Sequence, residues 1–367
     1  MAGSTYGDLF RITTWGESHG KGLGVVIDGC PAGIEISEEE IQKDLDRRKP
    51  GKNKFTTQRN ESDKVEIMSG VFEGKTTGTP ISLVIFNNDQ KSKDYSNIAE
   101  VFRPGHADMG FYKKFGIRDY RGGGRSSGRE TAARVAAGAV ARKFLAQLGI
   151  DITAYTVSIG NIEIDKDKFD INERFNNPFV MPDKDAAEKT EEYLKNAMEN
   201  LDSVGGIVQC EVSGMKTGIG EPVFDKLDAS LAKAILSIGA TKGIEFGIGF
   251  EAGKIYGSQN NDEMYCEDGK IIKFTNNSGG ILGGMSDGDK IVFRTVFKPT
   301  PSIAQAQKTV DIHGNEKVIE IKGRHDPIVT ARAVVVVEAM TAVTIADCIM
   351  KNCCSRIEYI KKMYEQM

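Results

Sequence analysis

With 367 residues, 40% of them hydrophobic and 27% charged, the chain has the composition of a globular protein with a sizeable core rather than a disordered or collagen-like one. Its net charge of -4 argues against bulk nucleic-acid binding, and length alone allows one domain or two. Six cysteines without CxxC pairing or regular spacing fit a reduced, cytoplasmic chain, and MAGSTYGDLF has neither region of a signal peptide.

In chain order, the apolar, β-branched run at residues 23–27 predicts a strand. Ser37 and Glu40 form a capping box, Ile41 and Leu45 share a face, and Pro50-Gly51 stops the run. A helix is therefore predicted over 37–48, with Arg47 and Arg48 in its last turn. Residues 65–68 and 81–86 predict two more strands.

Residues 103–134 hold the densest signal. Arg103, Lys113, Lys114, Arg118, Arg121, Arg125, Arg129 and Arg134 stand against Asp108, Asp119 and Glu130, an excess of positive charge that attracts anions. Inside it, RGGGRSSGRE sets three glycines and two serines before a second capping box, Ser127 with Glu130. Backbone N–H groups, hydroxyls and a helix N-terminus can converge there on a phosphate. The same residues would also serve as a solvated charged face. The helix is predicted over 127–148, ending at Gly149, and its small residues all round predict deep packing.

Further along, strands are predicted at 152–159, 207–212 and 290–297, helices at 184–201, 225–237 and 332–353, and a surface loop at 165–185. Glycine-rich IGATKG, around Gly239, and NNSGGILGGMSDG, around Gly283, read as tight turns or ligand cradles; neither matches a dinucleotide fingerprint or a phosphate loop. KPTPS, from Lys298, offers a cation with hydroxyls after a strand. The apolar stretch 328–350 approaches spanning length but contains Arg332, Glu338 and Asp347, so it reads as a core element, not a membrane helix. Strands and helices mix without strict βαβ order, which favours an α+β sandwich over a doubly wound sheet.

Histidine occurs four times, three of them in short polar motifs: GESHG at His19, RPGHADMG at His106 and GRHDP at His325. Its ordinary pKa of roughly 6.5 suits proton transfer near neutrality. His19 and His106 are each readable as structural or chemical, and His313, in DIHGNE, reads as a turn. Neighbours on an extended segment face opposite ways, so in GRHDP Arg324 and Asp326 are better placed for a common site than His325. No two histidines lie at i and i+4 and no cysteine joins them, so no metal site is predicted.

These motifs resemble the chorismate synthase family over essentially the whole chain. GESHGKGLGVVIDGCP, RGGGRSSGRETAARVAAGAV and GRHDPIVTARAVVVVEAM look like its three signature regions, with DLDRRKPG, DYS, RPGHAD, GGILGG and KPT in order between them. The resemblance implies one domain over 1–367, helices packed between antiparallel β-sheets, and a homotetramer. It implies a lyase that converts 5-enolpyruvylshikimate 3-phosphate to chorismate and phosphate by anti-1,4-elimination, the last step of the shikimate pathway to chorismate, feeding aromatic amino acid biosynthesis. The cofactor implied is reduced FMN without net redox change. NADPH as reductant, used by this chain or by a separate flavin reductase, stays open.

By the same resemblance His19 and His106 are the acids that protonate the flavin and the departing phosphate, in an order left open, and Asp326 is the base. Ser18, Arg48, Lys54, Arg129 and Arg324 would bind substrate. Arg125, Ser126, Ser127, Gly239, Ala240, Gly283, Lys298, Pro299, Thr300, Pro301, Ser302 and Arg324 would line the FMN site. Lys54 stands where the family often has arginine, Pro301 where it has serine, and Ile328 where it prefers a small residue. Two other readings compete: an NADPH-consuming flavin oxidoreductase, and an anion- or RNA-binding protein without catalysis.

Overall fold

Alternating apolar residues build two five-stranded antiparallel sheets in the computed structural model, which describes residues 3–49, 51, 55, 62–87, 99–321 and 326–367. Strands β1 (Thr5–Tyr6), β2 (Arg11–Gly16), β3 (Gly22–Asp28), β4 (Val65–Ser69) and β5 (Ile81–Phe86) pair in the order β1-β2-β3-β5-β4. Strands β6 (Asp151–Ile159), β7 (Ile162–Glu163), β8 (Gly206–Ser213), β9 (Thr241–Phe246) and β10 (Ile291–Phe297) pair as β9-β10-β8-β6-β7. Leu23, Val25, Ile27, Leu83 and Ile85 bury one face of the first sheet, and Val208, Cys210, Val212, Ile291 and Phe293 one face of the second.

The helices are α1 (Glu38–Arg48), α2 (Asp108–Phe115), α3 (Thr131–Ala146), α4 (Lys184–Glu199), α5 (Leu227–Leu236), α6 (Thr330–Asn352) and α7 (Ile357–Glu365) in chain order; α3 and α6 form the middle between these faces, α4 packs in a second cluster, and α2 and α7 are largely exposed. Helix α3 lies on β3 and β5, α6 lies on β6 and β8, and the two pack on each other. The α+β sandwich with helices between antiparallel sheets is the observed architecture. The small residues of α3 permit it: Gly138 sits so close to Ala339 of α6 that a Cβ there would fall 2.3 Å from the Ala339 Cβ and 2.4 Å from its Cα.

Helix α1 starts where expected, with Ser37 as its N-cap: Ser37 Oγ accepts the Glu40 N–H at 3.3 Å, while the Glu40 carboxylate pairs with Lys143 of α3 instead of reaching back. The start of α3 differs. Gly128–Glu130 is a 3-10 turn, α3 begins at Thr131, and Ser127 Oγ accepts from Arg129 N at 3.3 Å; Glu130 is drawn to the Thr14 hydroxyl at 3.0 Å and to Arg134, one turn on in the same helix, at 2.8 Å. In neither box does the carboxylate make the return bond that local pattern assigns to it.

Helix α6 is long and apolar enough to cross a bilayer by composition, yet it is almost wholly buried in the protein. Its charges act as ties: Glu338 accepts from Arg47 at 2.6 Å and from Ala154 N at 3.0 Å, and Asp347 Oδ1 accepts the N–H groups of Asp8, Leu9 and Phe10 at 2.7–3.1 Å. Strands β2 and β9 and helices α2 and α7 are additions to the predicted set. In β2 only Ile12 and Thr14 point inward, too few to signal a strand, and β9 begins inside IGATKG. The 165–185 segment is irregular with two 3-10 turns as expected, but only its first part is surface: Phe179 and Met181 are buried in a second apolar cluster, and Asp183, whose carboxylate accepts from Asp165 N at 2.9 Å, caps α4, which begins at Lys184.

The Gly138 contact yields a direct expectation. Gly138→Ala gains about 1 kcal/mol in helix propensity but forces a methyl against backbone atoms, an overpacking worth about 1–3 kcal/mol. Two contacts under 2.5 Å place it at the upper end, so a net loss of about 2 kcal/mol is expected. Urea denaturation checks it: a midpoint equal to that of the parent would show that α3 and α6 separate at no cost.

Candidate active site

The turn of residues 17–20, between β2 and β3, is closed by Gly20 N–H donating to Glu17 O at 3.2 Å, which puts Ser18 and His19 at its apex. Both are buried. Ser18 Oγ donates to Gly122 O at 3.4 Å and lies 3.1 Å from His19 Nδ1. Since the hydroxyl proton goes to a carbonyl that can only accept, His19 carries its proton on Nδ1. Gly122, at φ +77°, lies flat against this ring: a Cβ would sit 2.3 Å from His19 Cε1. The first glycine of the triple is therefore there for close approach, in a left-handed conformation that a side chain would strain. The loop is pinned from beneath by Arg125, whose guanidinium donates to Gly16 O at 3.2 Å and to Thr14 Oγ1 at 2.7 Å.

Behind this turn two arginines share one carboxylate. Asp63, fully buried and at φ +48°, accepts from Arg48 at 2.6 Å and from Arg129. Arg48 also reaches Gly128 O and Thr131 Oγ1, each at 3.3 Å. Asp326 pairs with Arg332, whose Nε donates to Arg48 O at 3.1 Å. Burial pushes Arg48 down to about 10, with Asp63 opposing and the charges of Arg332 and Arg129 adding, so it stays charged at neutrality. Burial alone would raise Asp63, but its two guanidiniums hold it below the usual carboxylate range. Among the described residues this cluster has three cations and two anions.

His106 belongs to a second cluster. Its Nδ1 is 2.9 Å from Pro104 O and its Nε2 is 2.9 Å from Ser302 Oγ. A carbonyl only accepts, so the neutral ring is protonated at Nδ1 and takes the Ser302 proton at Nε2. Burial first, then the charge of Arg103, lowers this imidazole to about 4. Arg103 is itself committed, through its backbone N and its guanidinium, to Asp108 at 2.8–3.0 Å, where Arg118 joins at 3.0 Å. The KPTPS segment closes the other side: Lys298 Nζ donates to Gly105 O at 2.6 Å, and Pro301 packs where a Gly105 Cβ would be, at 2.7 Å. Pro301, the departure from the family pattern, thus has a packing role against the His106 loop. Ala240, at φ +71°, accepts Lys298 N–H at 2.9 Å. Pro299 packs near Gly205, and Thr300 O accepts from Ser203 Oγ at 2.6 Å.

A cleft of about 650 Å³, whose walls include Glu17, next to Ser18 in sequence, Ala107, next to His106, and residues 123–126, opens beside the turns of both clusters, within the ~300–1,000 Å³ of small-molecule sites. Of the expected residues, Ser18, His19, Arg48, Arg125, Ser127, Arg129 and Asp326 fall in one network, and His106, Ala240, Lys298, Pro299, Thr300, Pro301 and Ser302 in the other. Ser126 Oγ is turned onto Gly123 O at 2.7 Å, and Gly239 follows α5 immediately before Ala240. Gly283 lies on the hairpin Ile281–Leu282 and Met285–Ser286, beside the start of α5, where Gly284 O accepts from Leu227 N, whereas Gly239 lies past the other end. Ten residues of helix, roughly 15 Å, separate them. Lys54, Arg324, His325 and the DYS motif lie outside the described residues. Asp63, Asn87 and Arg332 were not anticipated; each is one polar residue in ordinary sequence, and only its partners reveal it. Five of the eight cations named at 103–134, Arg103, Arg118, Arg121, Arg125 and Arg134, pair with the segment's own Asp108, Asp119 and Glu130.

A model of the family described as chorismate synthase matches residues 10–350. The chain belongs to the chorismate synthase family. A relative named chorismate synthase from Lachnospira eligens is 62% identical over 366 residues, covering all of both chains, and one from Agathobacter rectalis is 59% identical over 367. A crystal structure of a chorismate synthase superposes with a TM-score of 0.77 at 33% identity, covering 98% of this chain and 97% of that one. The layered sandwich is therefore the chorismate synthase fold.

The depressed His106 sets a pH dependence with a definite sign. Its folded value, about 4, lies below the unfolded 6.5, so the unfolded chain takes up the proton first. The stability this group contributes is complete above about pH 6.5 and is lost as pH falls toward 4, by up to about 3 kcal/mol. Unfolding free energies of the parent and of His106→Gln, measured from pH 7.5 to 5, should converge as pH falls. A constant difference would place the His106 ring in a water-like environment.

Proposed function

We propose that this chain catalyses the conversion of 5-enolpyruvylshikimate 3-phosphate to chorismate and phosphate, with reduced FMN as a cofactor that is not consumed. The observation that carries the reading is a buried arginine cluster together with two imidazoles, His19 buried and His106 half-buried, in a chain whose close relatives bear the name chorismate synthase. A substrate with two carboxylates and a phosphate supplies negative charge, and guanidiniums match both groups in a bidentate manner.

The residues present fit the phosphate-bearing cofactor. Lys298 spends one of three ammonium donors on Gly105 O, Ser302 offers a hydroxyl, and Thr300 Oγ1 and Thr241 Oγ1 are buried with no hydrogen-bond partner among the described residues. Such orphaned hydroxyls need a ligand or water. Lys298, Thr300 and Ser302 would hold the phosphate, and Ala240 and the residues around Arg125 would border the ring system. Reduced FMN supplies electron density to a substrate whose departing hydrogen sits on an unactivated carbon, out of reach of protein bases near their normal pKa.

The chain's own part is proton placement. At rest His106 Nε2 accepts from Ser302, so it has no proton to give there. An anion arriving beside it favours the imidazolium, which then holds a proton at Nε2 facing the site. His19, fixed by Ser18 with its proton on Nδ1, serves the second transfer. Asp326, oriented by Arg332, accepts the proton that leaves. The proposal includes a homotetramer, in which exposed Phe224, Phe250, Tyr256, Ile271 and Phe274 give apolar surface of the kind assemblies cover.

Anaerobic incubation with reduced FMN and 5-enolpyruvylshikimate 3-phosphate should release phosphate over many turnovers while the flavin spectrum stays reduced. Absence of release by folded protein would overturn the reading, and NADPH consumed in step with product would favour an oxidoreductase. Asp326→Ala should keep FMN affinity while slowing turnover by about 10² or more, the usual scale of a lost proton-transfer group. Turnover near that of the parent would remove Asp326 from the chemistry.

A further inference from the structure

We propose that Asn87 is a positioning residue that joins the turn bearing His19 to the guanidinium of Arg129, so that one carboxamide sets the imidazole and the arginine relative to each other. Asn87 follows β5 directly. The pairing of Gly22 with Phe86 brings it beside Lys21, whose carbonyl accepts the Asn87 N–H at 3.1 Å. Its Nδ2 then donates to Glu17 O and to Gly20 O, each at 2.9 Å. Those two carbonyls are the ends of the turn that has Ser18 and His19 at its apex. On its other side, Oδ1 accepts from Arg129 Nε at 2.9 Å.

The chemistry of the partners fixes the amide's orientation. Two carbonyls require donors and a guanidinium requires an acceptor, so a flipped amide would oppose all three contacts. It also restricts the residue. Aspartate keeps the acceptor and loses both donors, leucine keeps the volume and loses everything polar, and serine is too short to span three partners. Arg129 is thereby held at two atoms, Nε by Asn87 and Nη1 by Asp63, which fixes the plane of its fork. The turn is held at both ends at once, and Gly122 supports its ring from the opposite side. A misplacement of 1 Å in such a pair costs on the order of 10²-fold in rate.

The inference rests on the proposed roles of His19 and Arg129, but the clamp can be read without the reaction. Proton NMR titration of the folded, cofactor-free protein follows four histidine rings, with His19 assigned by its loss in His19→Gln. In Asn87→Asp the new carboxylate faces the turn, and the His19 midpoint is expected to rise by about one unit while His106 and His313 stay in place. In Asn87→Leu the His19 resonance should shift without that rise. In turnover with reduced FMN, kcat should fall about 10–100-fold in both variants. KM for the substrate should rise several-fold more in Asn87→Leu, which releases Arg129, than in Asn87→Asp, which holds it. A residue that only stabilised the fold would give no such split.

An unmoved His19 resonance in Asn87→Asp overturns the clamp, and a moved resonance with parental kcat and KM overturns its part in positioning. Should Asn87→Leu fail to fold, Asn87→Asp decides both points. If the parent itself showed no turnover, the proposed reaction would fail while the titration still tested the clamp.

Discussion

Two buried guanidiniums held by one buried carboxylate form the constraint on which the site depends. Arg48 leaves the end of α1, Arg129 leaves the turn before α3, and Asp63 meets both with no exposed surface of its own. Each ion moved out of water loses several kcal/mol of hydration, and replacing such a group by apolar residues of similar volume is often stabilising. Stability therefore does not account for this arrangement. Among the described residues the cluster sets Arg48, Arg129 and Arg332 against Asp63 and Asp326. The αL backbone at Asp63 adds strain of the kind that persists where surrounding structure dictates it.

The rest of the fold can be understood as support for that cluster. Helix α1 must present Arg48 inward, and ion pairs from Glu40 to Lys143 and from Asp44 to Arg142 fasten it to α3. Helix α3 must bring Gly128 and Arg129 to the same place, which requires it to sit deep between the sheets, and its alanines and Gly138 allow that. The two imidazoles are then set by close backbone approach: Gly122 against His19, and Gly105 against Pro301 beside His106. Glycine matters at these two positions because a Cβ would fall 2.3 Å from the His19 ring at Gly122 and 2.7 Å from Pro301 at Gly105.

Much of this was legible in the sequence because it is encoded locally. Periodicity located both sheets' inner strands and the central helices, and the scarcity of histidine marked the turn at His19 and the loop at His106. What stayed hidden was encoded in partners. Asp63 sits among other charges in NESDK, Asn87 in FNND and Arg332 in an apolar helix start, and no local rule distinguishes them from solvated polar residues. The capping boxes were half right: Ser37 caps α1 as its pattern says, but Lys143, brought close by folding, takes Glu40, and Glu130 goes to Thr14 and to Arg134 one turn on.

Arg47 and Arg48 show where local reading ends. They are adjacent, identical in type, and both lie in the last turn of α1, where either would complement the helix dipole. Successive residues on a helix point about 100° apart, and that rotation separates their fates. Arg47 turns to Glu338 on α6 and forms a structural ion pair that relieves a buried carboxylate in the core. Arg48 turns to Asp63 and, through its own carbonyl, to Arg332 and thus to Asp326. A single angular step makes one guanidinium scaffold, beside a carboxylate that Arg142 also approaches at 3.4 Å, and sets the other against Asp63 at the centre of the buried arginine cluster.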